Sequence, residues 1–78
     1  MNELRRKQIR KVHDLVAECK DLFEALQSEE QEYYDNMPEN IQEGAKGEYT
    51  QEILDMMDDV ASSFEELTSY LDTLEETF

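Results

Sequence analysis

The chain of 78 residues has few residues that break or cross-link structure: two glycines, one proline, one cysteine and no tryptophan. A single cysteine excludes an internal disulfide framework and is typical of a reducing compartment. No apolar run approaches the roughly 18–20 residues of a membrane-spanning helix, and no signal peptide is visible. We therefore expect a cytoplasmic protein without membrane contact, formed by a single domain that comprises residues 1–78.

Positive charge is scarce as well. The chain has 7 basic and 21 acidic residues, a formal net charge of −14 and a sequence pI near 4.1. Such a balance excludes direct binding to nucleic acid or to an anionic membrane through overall charge. Leu, Ile, Val and Phe total 17 residues, which lies just above the level at which a highly charged chain stays unfolded. The arrangement of these apolar residues therefore decides between order and disorder.

The apolar residues recur at alternating spacings of three and four, as the a and d positions of a heptad do. No period-two alternation, typical of strands, is present. The pattern predicts an all-α protein with helices at about 2–35 and 48–77, and with Cys19 buried on the first seam. The predicted seams are Ile9, Val12, Val16, Cys19, Phe23, Leu26, Tyr33 and Met37, broken at Glu30, and then Ile53, Met57, Val60, Phe64, Leu67, Leu71, Leu74 and Phe78.

The connector between the helices, residues 36–47, contains the one proline and both glycines. Pro38 disfavours helical geometry at Met37, so the first helix is expected to end there or earlier. Asn36 and the glutamate three residues later resemble a capping box, which predicts a short helical turn after the proline. The two glycines are expected to supply the positions at which the chain reverses.

The charge distribution predicts the direction of the second helix. Residues 1–20 contain six basic and three acidic groups, whereas residues 21–78 contain one basic and 18 acidic groups. Basic residues in a first helical turn oppose the helix dipole, and an antiparallel partner brings the acidic end of the chain beside them. We therefore predict an antiparallel two-helix hairpin. Because two helices alone do not close such wide apolar seams, a homodimer that forms a four-helix bundle is expected.

Catalytic and metal-binding chemistry has little support in the sequence. His13 and Cys19, the only residues of their types, lie about 240° apart around a helix, so they do not face each other. The acidic face with Asp55, Asp58 and Asp59, preceded by Glu52, could gather a divalent cation loosely but lacks the glycine and the loop of an EF hand. We expect no enzyme activity, no catalytic residue, no cofactor and no metal site.

Acidic residues are concentrated where the hairpin turns. Residues 28–59 contain 11 acidic groups and one lysine, over roughly 20–25 Å of a folded hairpin. That spacing, about one charge per 2–2.5 Å, falls between duplex DNA at ~1.7 Å and a single strand at ~3.4 Å. An acidic surface that only keeps the protein dissolved is the simpler interpretation. Tyr33 is expected on the seam and Tyr34 exposed, as an interface anchor. The candidate partner-binding residues are Glu29, Glu30, Glu32, Tyr34, Asp35, Glu39 and Glu43.

The connector also carries a resemblance. Residues 32–42, Glu-Tyr-Tyr-Asp-Asn-Met-Pro-Glu-Asn-Ile-Gln, resemble a family of small acidic helical phage and prophage proteins. These proteins share the run Tyr-x-Asn-Met-Pro-Glu-Asn-hydrophobic-Gln between two charged, heptad-like helices, and the similarity covers roughly residues 20–75. The resemblance implies a phage- or prophage-encoded, non-enzymatic protein that acts in the cytoplasm of a bacterial host.

Three functions are compatible with this context. The leading hypothesis is an inhibitor that mimics nucleic acid and binds a basic, nucleic-acid-binding host defence protein, as some anti-CRISPR proteins do. One alternative is an oligomeric helical sponge that sequesters a nucleotide immune signal, for which the basic cluster at residues 5–11 is the candidate phosphate site. Another is a structural protein that pairs with a coiled coil.

Overall fold

The computed structural model describes residues 3–77, which form three helices: α1 (Glu3–Asp35), α2 (Glu39–Gln42) and α3 (Ala45–Thr77). No strand occurs within this range, so the prediction of an all-α protein is confirmed. The predicted helix at 2–35 matches α1 closely, whereas α3 begins three residues earlier than predicted. The Cα positions extend over 60 × 15 × 11 Å, the shape of a thin rod.

The two long helices run antiparallel, as the charge distribution predicted. Arg10 contacts Glu75 at one end of the rod, and Gln27 hydrogen-bonds Asp58 further along it. Residue numbers thus rise along α1 while they fall along α3. The hairpin therefore has an open end, where α1 begins and α3 ends, and a closed end at the connector.

The connector contains the short helix that the proline pattern predicted, although the capping box is absent. α1 ends with hydrogen bonds from Asn36 N to Glu32 O and from Met37 N to Tyr34 O. Pro38 then occupies the N-cap position of α2 with extended backbone angles (φ −58°, ψ 148°), and no side chain caps the helix. The prediction that Asn36 caps this turn is wrong because the proline stands between it and the first helical residue.

Gly47 allows α2 to pack directly against the first turns of α3. A Cβ atom at this position would lie 2.0 Å from the backbone oxygen of Gln42, and other backbone atoms of Gln42 are almost as near. Neither glycine has a positive φ. Gly44 lies in the bend between α2 and α3, as expected for a reversal, whereas Gly47 lies within α3, so the expectation is wrong for Gly47. Gly47 is needed for close approach between backbones, and it lies in the first turn of α3.

The residues that face each other across the hairpin differ from the predicted seams. With Ile9 and Thr50 taken as heptad position a, the covered positions are a and e, whereas the sequence pattern favoured a and d. Cys19, a d residue, is exposed, and the prediction of its burial is wrong. The facing line of α1 is Ile9, His13, Val16, Lys20, Phe23, Gln27, Glu30, Tyr34 and Met37. That of α3 is Gly47, Thr50, Leu54, Met57, Ala61, Phe64, Thr68, Leu71 and Glu75.

The interface inside the hairpin is thin and partly polar. Among the described residues, only Met37 (9% exposed) is a buried hydrophobic residue, and Thr50 (2% exposed) is the buried polar one. Phe23 and Phe64 meet at mid-length with ring centroids 5.8 Å apart. His13 and Gln27 reach across to carboxylates of α3 instead of packing among apolar groups. A core of this kind covers only part of the apolar side chains of either helix.

Candidate protein-interaction surface

The closed end of the hairpin presents a dense group of carboxylates, which we call the acidic tip and define as residues 28–59. Ten of its 11 acidic side chains are exposed, and only Glu30 is half-buried, on the line of α1 that faces α3. At ~1.5 Å per residue, the α3 part of the tip is about 22 Å long. The exposed acidic residues are Glu29, Glu32, Asp35, Glu39, Glu43, Glu48, Glu52, Asp55, Asp58 and Asp59.

The charge of the acidic tip is not balanced by neighbouring cations. Arg10 pairs with Glu75 at 3.3 Å, and Lys20 approaches Glu24 at 3.9 Å. Every ion pair seen between described residues lies outside the tip. The one lysine of the tip, Lys46, places its Nζ 5.6 Å from the centre of the Tyr33 ring. The tip therefore keeps nearly all of its negative charge available to a partner.

The connector holds two of the predicted site residues, Glu39 and Glu43, at the extremity of the rod. α2 is fixed to α1 by a hydrogen bond from Gln42 Nε2 to the backbone oxygen of Tyr34 (2.9 Å). The backbone N–H of Glu43 donates to the backbone oxygen of Glu39 (3.1 Å). Both carboxylates are therefore presented from an ordered helical turn.

The structure reverses the predicted roles of the two adjacent tyrosines. Tyr34 is half-buried on the line facing α3, where its hydroxyl accepts a hydrogen bond from Gln51 Nε2 (2.8 Å). Tyr33 is 47% exposed and lies beside Lys46. The predicted interface anchor is thus a structural residue, and Tyr33 is the accessible aromatic. Position 34 continues the seven-residue repeat of positions 13, 20 and 27, a line of polar residues that the apolar periodicity does not reveal.

Replacing Tyr34 with phenylalanine is expected to lower the free energy of unfolding by about 0.5–1 kcal/mol, because the Gln51 amide loses its acceptor in a half-exposed setting. Tyr33→Phe, which removes a hydroxyl from the exposed neighbour, is the matched control and should change stability by less than about 0.5 kcal/mol. Urea unfolding followed by circular dichroism at one protein concentration measures both. Equal losses in the two variants would contradict the assigned roles.

The open end joins the basic start of α1 to the acidic end of α3. His13 Nε2 donates a hydrogen bond to Asp72 Oδ1 (2.8 Å), and Arg10 contacts both Asp14 and Glu75. His13 is part of this network and is half-buried, so it contributes to the contact between α1 and α3. A shallow cleft here is lined by Arg6, Arg10, Asp72, Glu75 and Glu76.

Two further properties concern membranes and metals. None of the helices in residues 3–77 has the length and apolar character needed to cross a membrane. Over the same residues, no group of three or more His, Cys, Asp or Glu side chains is arranged to hold a metal ion.

Comparison of the chain with protein-family models, curated proteins and solved structures gives no match. The fold and the surface therefore define the class of protein by themselves: an all-α helical hairpin with a strongly acidic closed end.

Proposed function

We propose that the chain is a non-enzymatic interaction module of phage type that inhibits a basic, nucleic-acid-binding defence protein of a bacterial host. The acidic tip would occupy the groove in which that protein holds nucleic acid. The observation that carries this proposal is the set of ten exposed carboxylates at one end of a thin rod, none of which takes part in an ion pair seen between described residues. The phage context and the host cytoplasm come from the resemblance of residues 32–42.

Charge spacing supports mimicry over simple solubility. The tip carries 11 acidic groups against one lysine, and the α3 segment that bears five of them is about 22 Å long. A basic groove binds nucleic acid tightly because the cations that surround the closely spaced phosphates are released on binding. Closely spaced carboxylates can bind the same groove with the same release of cations. Such a partner is also attracted over long range, which raises the association rate at low salt.

The nucleotide-sponge alternative finds less support in the contacts of the open end. Its candidate phosphate site includes Arg10, whose guanidinium already contacts the carboxylates of Asp14 and Glu75. The cleft there is lined by two arginines and three carboxylates, so a phosphate would meet more negative than positive groups. The structural coiled-coil alternative rests on the apolar side chains that both long helices leave exposed.

The proposal includes self-association into a homodimeric four-helix bundle. A stable fold of this size needs a larger apolar core than the hairpin encloses, because one buried hydrophobic side chain among residues 3–77 is too little to offset chain entropy. A second hairpin is the simplest source of the missing contacts.

The test of the acidic tip is capture of proteins from a bacterial host lysate on the immobilised chain. Proteins bound through mimicry should be released by excess duplex DNA or RNA at constant low salt. In a salt gradient without nucleic acid, the same proteins should elute between about 50 and 500 mM salt. The variant Glu39→Lys with Glu43→Lys should weaken the binding of such a protein about tenfold or more, because both carboxylates are exposed at the extremity.

The matched control is Asp21→Lys with Glu65→Lys, which makes the same change of net charge on exposed positions outside the tip. It should reduce binding by less than about threefold. Binding that resists salt and nucleic acid, or that falls equally in the two double variants, would exclude the mimicry proposal.

A further inference from the structure

Each long helix carries a second apolar line that its partner in the hairpin leaves uncovered. On α1 this line includes Leu22, which is 70% exposed, and on α3 it includes Tyr70, which is 72% exposed. With the same heptad letters as above, the lines occupy positions d and g. We call them together the apolar face, and its exposed members are Val12, Leu15, Cys19, Leu22, Leu26 and Tyr33 on α1, and Tyr49, Met56, Val60, Leu67, Tyr70 and Leu74 on α3, with the half-buried Ile53 on the same line.

The two lines emerge on the same side of the hairpin. In each helix, the d and g positions lie about 100° around the helix axis from the a and e positions that face the other helix. The direction of this rotation, viewed from the N-terminus of the helix, is the same in α1 and α3. Antiparallel helices are related by a two-fold axis perpendicular to the plane of the hairpin, so equivalent heptad positions lie on one face. The other face carries positions b and f, which are mostly charged or polar.

The apolar face is large enough for a stable dimer. The line on α3 extends from Tyr49 to Leu74, which is about 38 Å at 1.5 Å per residue. Its exposed side chains, with those of α1, present apolar surface on the order of 1,000 Å². A standard protein interface buries about 800 Å² on each partner, whereas an ordinary monomer exposes patches of a few hundred.

We infer that the apolar face binds the apolar face of a second copy of this chain, with the two rods antiparallel, so that the tip of each lies beside the open end of the other. This inference rests on the self-association proposed above, and it adds the surface and the direction. The two-fold axis crosses α1 near Leu22, because the apolar line of α1 is centred there. α1 then packs on α1 of the second copy, and α3 on α3.

Charge complementarity selects this direction. With the axis near residue 22 of α1, the basic cluster at residues 5–11 lies at the level of residues 33–39 of the second copy, within its acidic tip. Lys11 and Glu32 both flank the apolar face at heptad position c. Lys11 of each copy therefore lies near Glu32 of the other copy. Rods with their tips together would instead place two groups of 11 carboxylates side by side and bring Glu32 near Glu52.

The first test of the inference is the oligomeric state of Leu22→Lys, measured by sedimentation equilibrium with circular dichroism on the same samples. The original chain and the control Ser62→Lys, which adds a lysine on the opposite face, should be dimers at about 100 µM. Leu22→Lys should raise the dimer dissociation constant about 100-fold or more, since a charge would be buried at the centre of the interface. A monomeric original chain, or dimers of Leu22→Lys as tight as the control, would overturn the inference.

The second test measures direction and does not depend on a destabilised variant. A spin label is attached at Asn40→Cys, an exposed site on α2, in a chain with Cys19→Ser. Antiparallel rods place the two labels about 55 Å apart, whereas rods with adjacent tips place them within about 20 Å. A short distance would overturn the antiparallel arrangement, while the salt-sensitive capture experiment tests the acidic tip separately.

Discussion

Replacing Gly47 with alanine is expected to lower the free energy of unfolding by about 2–3 kcal/mol or more, and to detach α2 from α3. The added Cβ would lie 2.0 Å from Gln42 O and 2.4 Å from Gln42 C, so backbone must move to relieve the overlap. Overpacking against backbone costs more than the gain in helix propensity from glycine to alanine, which is about 1 kcal/mol. Urea unfolding at one protein concentration measures the loss.

Gly44→Ala is the matched control for this experiment. A Cβ at position 44 would contact the backbone oxygens of Asn40 and Ile41 at 3.5 Å, an ordinary van der Waals distance. Its φ is not positive, so alanine is expected to be neutral or to stabilise the protein by about 0.5 kcal/mol through the unfolded chain. If Gly47→Ala proves as stable as Gly44→Ala, the close approach of α2 and α3 is not required for folding.

Truncating Phe64 to alanine is expected to cost about 2–4 kcal/mol, the largest loss for a single side chain inside the hairpin. Phe64 contacts Phe23 with a centroid distance of 5.8 Å and an interplanar angle of 49°. The variant loses apolar burial and leaves a gap between the helices at mid-length, where few other apolar contacts exist. The midpoint of urea unfolding, followed by circular dichroism, should fall accordingly.

A double-mutant cycle with Phe23→Ala isolates the ring contact from general loss of burial. The double variant is expected to be less destabilised than the sum of the two single variants, by about 0.5–1.5 kcal/mol. Effects that add within about 0.3 kcal/mol would mean that the two rings contribute independently of each other. All four proteins must be compared at one concentration, because dimerisation is linked to stability.

The helices and their antiparallel direction were predictable from the sequence because they depend on patterns that recur along the chain. Apolar spacings of three and four recur through both halves of the chain, and Pro38 ends the first helix whatever its surroundings are. The antiparallel direction follows from the opposite charges of the two chain ends, and the contact of Arg10 with Glu75 has that origin.

The packing surface was not predictable to the same degree because each helix has a wider apolar arc than one neighbour covers. Positions a, d and g are mostly apolar, and periodicity alone does not say which pair faces the hairpin partner. The structure uses a and e, so that Cys19 is exposed while His13 is half-buried. The same rotation turns Tyr34 inward and Tyr33 outward.

The candidate site was predicted better in its charge than in its individual residues. Glu29, Glu32, Asp35, Glu39 and Glu43 are exposed at the tip as expected, whereas Glu30 and Tyr34 belong to the line inside the hairpin. Carboxylates on a helical surface are exposed in nearly any packing, because burial without a partner is costly. The orientation of an aromatic depends on the rotation of the helix, which packing sets.

The sequence alone determined the all-α class, the break at the proline, the antiparallel direction and the collection of negative charge at the closed end. These follow from residue spacing, from proline geometry and from the signs of charges, which do not depend on how the helices pack. Only the tertiary structure decided that Gly47 allows α2 to approach α3, that the hairpin closes over positions a and e, and that positions d and g form one exposed face. Each of these depends on the rotation and separation of two helices, which only contacts between distant residues establish.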